Sequence, residues 1–194
     1  MKNNENILFI EDANKRKLFY RFTPAAITSN FVPLVVVLED EEKAADMNFE
    51  YKMWNMLTPI YPSHKKEESW AKDLLQELIK KIAYDLECEE HIYMYGSSTE
   101  GYRAILHGIL GKVNALFSNT SYIMKADITD LSNLLNTKDT FPIFYLCTGE
   151  TKVFTDTCKK HTLIYHLDFC PEAKENDEKY ILKETLDMFE RMTS

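Results

Sequence analysis

Ser98 is the residue whose type and setting best suit it for chemistry. It stands in Tyr93-Met94-Tyr95-Gly96-Ser97-Ser98-Thr99-Glu100-Gly101-Tyr102, between a run that predicts a strand and a run that predicts a helix. A serine in a tight strand-to-helix turn has its hydroxyl held out of the sheet. The N–H groups of the helix start then point toward any oxyanion that develops beside it. Gly96, two residues earlier, is the small residue that a close approach of strand and helix backbones needs. Without chemistry, the same serine is a sound helix N-cap.

Other chemistries find little support. The chain has no H-x-x-x-H and no paired cysteines, and the acidic run Asp168 to Glu178 lacks the spaced oxygen ligands of a calcium loop, so no metal or other cofactor is expected. The Gly96–Gly101 spacing is followed by Tyr102-Arg103 rather than the Lys-Ser/Thr of a phosphate-binding loop, and G-x-G-x-x-G is absent. With 23 Lys+Arg against 31 Asp+Glu, a net charge of −8, and no basic run longer than the three residues Lys15-Arg16-Lys17, nucleic acid is not an expected partner. The longest apolar stretch, Phe31 to Leu38, contains Pro33 and falls well short of the about 20 residues of a membrane span. The polar N-terminus resembles no signal peptide, and Cys88, Cys147, Cys158 and Cys170 have no C-x-x-C spacing, so reduced thiols and a cytoplasmic address are expected.

The elements that must position Ser98 are read from periodicity. Ile7 to Ile10 and Lys17 to Phe22 predict a hairpin, and Leu34 to Leu38 is continuous, as in a strand covered on both faces. A further strand is expected around Met53 to Leu57, then a helix from Glu68 to Leu86, with Leu74, Leu75, Leu78 and Ile79 on one side. His91 to Tyr95 predicts the strand before the serine turn, and Tyr102 to Leu110 the helix after it. Strands at Val113 to Phe117, Pro142 to Cys147 and Thr162 to His166 come next, with helices at Asp127 to Leu135 and Lys174 to Met192. Strands separated by helices imply an open, mostly parallel eight-stranded α/β sheet with an N-terminal hairpin and helices on both faces. No linker or repeat interrupts it, so residues 1–194 read as one domain.

The run Gly96 to Tyr102 resembles the nucleophile elbow of the α/β-hydrolase superfamily, in the G-S-S-x-x-G-Y form seen in bacterial hydrolase-like proteins of surface-polysaccharide and accessory-secretion systems. The order of elements is similar over nearly the whole chain, without an inserted cap. The resemblance implies Ser98 as nucleophile, His166 as base at the end of the last strand, and Glu150 as acid, with Asp156 in reserve. It also implies the backbone N–H groups of Thr99 and Glu39 as oxyanion donors. Glu100 stands where the family has a small residue, and Glu39-Asp40-Glu41-Glu42 forms an acidic loop after the Leu34 to Leu38 strand.

Two functions are therefore expected as alternatives. One is a serine esterase or acyltransferase acting on a small-molecule or glycan-linked acyl ester. The other is a hydrolase-like accessory protein of weak or no turnover, suggested by Glu100 and the acidic loop. An open site of this kind would suit a protein partner or a second copy of the chain.

Overall fold

The computed structural model describes residues 7–27, 32–39, 53–60, 68–97, 100–119, 125–140, 142–147, 156, 163–167 and 178–193; for 125–128, 147, 166–167, 178–180 and 192–193 it describes backbone only. Among these residues the strands are β1 (Leu8–Glu11), β2 (Lys17–Thr23), β3 (Leu34–Leu38), β4 (Asn55–Ile60), β5 (Ile92–Ser97), β6 (Ala115–Asn119), β7 (Ile143–Cys147) and β8 (Ile164–Leu167). The helices are α1 (Ser69–Asp85), α2 (Glu100–Gly111), α3 (Lys125–Leu135) and α4 (Glu178–Thr193). The sheet is eight-stranded and mostly parallel, in the order β1-β2-β4-β3-β5-β6-β7-β8. The chain's internal contacts gather into two compact units, Met1–Ile92 and Tyr93–Ser194.

In the first unit, β1 and β2 form an antiparallel hairpin, β2 pairs antiparallel with β4, and β4 pairs parallel with β3. All five residues of β3 are fully buried, as its unbroken Leu-Val-Val-Val-Leu predicts for a strand covered on both faces. The expected strand at Met53 to Leu57 lies instead at Asn55–Ile60, running through Pro59. Pro59 has no N–H to give, and β3 pairs β4 only at Asn55, Met56 and Leu57, so the parallel neighbour asks for none at that position. Asn55 is buried and anchors the surrounding loops: its Nδ2 donates to the Val32 carbonyl at 3.1 Å, and its Oδ1 accepts from the Ala25 N–H at 3.0 Å. Helix α1 buries Ala71, Leu74, Leu75, Leu78, Ile79 and Ala83 and packs on the hairpin.

In the second unit, β5, β6, β7 and β8 are all parallel. One register row carries Tyr95, Phe117, Tyr145 and Tyr165 across the four strands. Tyr95 stacks on Phe117 and Tyr145 on Tyr165, each pair with ring centroids 5.2 Å apart. Phe189 of α4 lies on this face, its ring 4.9 Å from Tyr93 and 6.2 Å from Tyr145. In the next row, Gly96, Ser118 and Leu146 belong to the α2 side, where Ser118 bonds to that helix, and the backbone of His166 continues the row. Because neighbouring residues of a strand alternate faces, α4 and α2 cover opposite faces of these strands.

Candidate active site

The junction of β5 with α2 is tighter than periodicity suggests. A turn is expected from Gly96 to Gly101, but β5 includes Gly96 and Ser97 and α2 includes Glu100 and Gly101. Gly96 is thus a buried strand residue and Gly101 a buried helical one. A Cβ built on Gly96 would lie 2.5 Å from the Glu100 carbonyl oxygen and 2.7 Å from the Ala104 Cβ. Both obstacles are fixed to the helix, so strand and helix can cross this closely only over a glycine. Gly96 is required for space and not for a turn conformation.

Two further contacts hold α2 in place. Ser118 Oγ on β6 donates to the Gly101 carbonyl at 2.9 Å, and both residues are buried. One turn from the helix end, Gly108 lets α2 settle on β6, where a Cβ would meet Leu116 Cδ2 at 2.6 Å.

Glu100, the departure from the family pattern, is buried in the first turn of α2. Its carboxylate accepts from Arg103 Nη1 at 3.0 and 2.8 Å, and only 9% of the Glu100 side chain and 13% of the Arg103 side chain are exposed. Arg103 is a residue that periodicity and motif did not single out. A signal for it was present, because an acid and a base three residues apart share one face of a helix.

Ser98 and Thr99, the two residues joining β5 to α2, and Glu150 lie outside the described residues. Asp156 is described and exposed, whereas the acid of a Ser-His-acid triad is buried against its histidine. Glu39 follows β3 in the first unit and is 1% exposed; Asp40, Glu41 and Glu42 lie outside the described residues.

His166 is the third residue of β8, one short of the strand end, and its backbone is level with Gly96 rather than with the end of β5. Three strand spacings separate β8 from β5, roughly 14 Å at ~4.8 Å each. Strand position alone therefore does not bring His166 to the junction. Among the other histidines, His107 is fully buried in α2 and His91 precedes β5, while His64 and His161 lie outside the described residues.

Near the sheet face opposite α2, burial pushes the Tyr93 and Tyr145 hydroxyls above their ordinary range, with Tyr145 adding to the first and Tyr165 to the second. Among the described residues no group of three or more His, Cys, Asp or Glu side chains could hold a metal ion, and no helix is long and apolar enough to cross a membrane.

No family model matches the chain, and no curated protein matches it. Solved structures do. Thermogutta terrifontis esterase 2, in a form phosphoramylated by tabun, superposes with a TM-score of 0.64 at 13% identity over 99% of this chain and 94% of its own. Est1E from Butyrivibrio proteoclasticus gives 0.63 at 9% identity over 97% of this chain and 99% of its own. Dipeptidyl peptidase 4 of Porphyromonas gingivalis gives 0.64 at 10% identity, with 95% of this chain spanning 35% of that one. At such identities the likeness speaks for the fold, and the fold of this chain, from hairpin to final helix, is that of the α/β-hydrolases.

Proposed function

We propose that this chain is a serine hydrolase of acyl esters, with Ser98 as its nucleophile. The observation that carries the reading is the crossing of β5 and α2 over Gly96: a strand that ends at Ser97, a helix that starts at Glu100, and room for no side chain between them. A crossing this tight is what a nucleophile elbow requires, and it is more than an N-capped turn needs. The esterases among the similar folds support the same class of reaction.

In this mechanism Ser98 Oγ attacks the acyl carbon and its proton passes to a histidine, for which the reading takes His166. The tetrahedral oxyanion is held by backbone N–H groups at the helix start, that of Thr99 first. The alcohol leaves with the histidine's proton, and water then releases the acyl group by the same steps. Glu150 is preferred over the exposed Asp156 as the group that orients the imidazole. The substrate class is an acyl ester, small or carried on a glycan.

A second reading, an accessory protein of little or no turnover, is favoured by Glu100, a buried acid two residues past Ser98.

Fluorophosphonate labelling of the purified protein, read by intact mass, separates the two. Stoichiometric labelling that Ser98→Ala abolishes, with stability changed by no more than about 1 kcal/mol, is the expected result. A folded wild-type protein that takes no label leaves the accessory reading. Labelling that survives His166→Ala moves the base to another residue, with Ser98 unaffected.

A further inference from the structure

The Glu100–Arg103 pair bears on the chemistry proposed for Ser98, and its role there rests on the reading of Ser98 as nucleophile. A carboxylate in the first turn of α2 is compatible with the helix dipole, yet it lies two residues past a nucleophile whose reaction develops negative charge at the same helix end. Buried and unpaired, it would oppose that charge in surroundings with little water to screen it. Arg103 Nη1 meets both of its oxygens, at 3.0 and 2.8 Å, and the two side chains are nearly enclosed. Arg103 stands one turn along α2, so the pair forms within the helix that carries the oxyanion donors and needs no other element to assemble.

We propose that Arg103 is a positioning residue of the elbow: it compensates the Glu100 carboxylate, so that an acid at this place does not cancel the oxyanion stabilisation of the helix start. Arg103 touches no reacting atom in this scheme. It acts through Glu100.

The test is the rate of fluorophosphonate labelling in wild type, Arg103→Met, Glu100→Gln and the double variant, with melting temperature measured on each. In the labelling step Ser98 Oγ forms a bond to phosphorus, fluoride leaves, and the hydroxyl proton passes to the base. Arg103→Met leaves the carboxylate uncompensated, and the maximal labelling rate is expected to fall on the order of tenfold or more, with the half-saturating probe concentration little changed. Glu100→Gln keeps a neutral acceptor for Arg103 and should label at least as fast as wild type. The double variant should regain the wild-type rate, because the harm comes from the carboxylate and not from loss of the pair.

A double variant as slow as Arg103→Met, or an Arg103→Met that labels at the wild-type rate, overturns the proposal and leaves Ser98 as nucleophile. If Arg103→Met does not fold, the double variant decides alone: the wild-type rate supports compensation, and a slower one overturns it. A folded wild type that takes no label removes the reading of Ser98 itself, and with it this proposal.

Discussion

Ser118 donates its hydroxyl proton to the Gly101 carbonyl at 2.9 Å, a buried bond that fastens the first turn of α2 to the strand beside β5. Serine is an unusual choice inside a parallel sheet, and here its hydroxyl has one specific duty. Ser118→Ala is expected to cost about 1 kcal/mol in urea unfolding, since the carbonyl it leaves also belongs to a helix. Ser118→Val should cost more, because it adds a methyl to an interior that is already full. An alanine variant as stable as wild type would show that the bond does not hold the junction.

Gly96→Ala should be worse than either. The added methyl meets a carbonyl oxygen at 2.5 Å and the Ala104 methyl at 2.7 Å, so the helix must move away from the strand. A destabilisation of about 1–3 kcal/mol and loss of fluorophosphonate labelling are expected. Ala104→Gly in the same chain relieves only the second clash, and recovery should be partial. Full labelling of the single variant would mean that the close crossing is not needed for the proposed chemistry.

Cys88, buried after α1, is expected to be inert in the folded protein. Desolvation and the neighbouring Glu89 push its thiol up to about 11, against a backbone hydrogen bond to Leu34 that lowers it. Iodoacetamide at pH 8 should alkylate Cys88 only when the chain is unfolded, as read by peptide mass. Since the folded value lies above the unfolded one of 9.0, the neutral thiol adds no pH dependence below that point, and stability should fall as pH climbs from 9 toward 11. Native alkylation at pH 8 would contradict this burial.

Acid should loosen the hairpin first at Asp12. Desolvation raises this carboxyl, but the Arg16 side chain and the Arg16 and Asn14 backbone N–H groups outweigh it and hold it below the ordinary value. A group lowered on folding stabilises above its unfolded value, and that contribution is lost as pH falls through the folded one. Arg16 also lies over the Trp70 ring, 5.2 Å from its centroid, so the hairpin turn and α1 are tied together. Amide protection at Asn14 and Arg16 should therefore drop in acid, and Asp12→Ala should reproduce the drop at neutral pH. Unchanged protection in that variant would show that the turn holds without the carboxylate.

Much of this protein is determined by its sequence alone. The unbroken Leu34 to Leu38, the helical spacing of Leu74, Leu75, Leu78 and Ile79, and the alternation of strands with helices determined the sheet, its mostly parallel character and the place of the serine turn in it. These are local patterns, and burial acts on them directly.

The tertiary structure decided what depends on contacts between elements. β4 continues through Pro59 because β2 pairs with it as far as Ile60 while β3 pairs only to Leu57, which no local signal records. Lys15, Glu87 and Lys112 take positive φ angles of 65, 54 and 54°, positions that favour glycine. The glycines at 96 and 108 stand instead where helix and strand nearly touch, since a close approach excludes every side chain while a positive φ only strains one. The close crossing of β5 and α2 over Gly96 and the three strand spacings between β5 and His166 are likewise properties of packing and register. A one-dimensional pattern states which face a residue prefers, and only the assembled sheet sets how far apart two such residues stand.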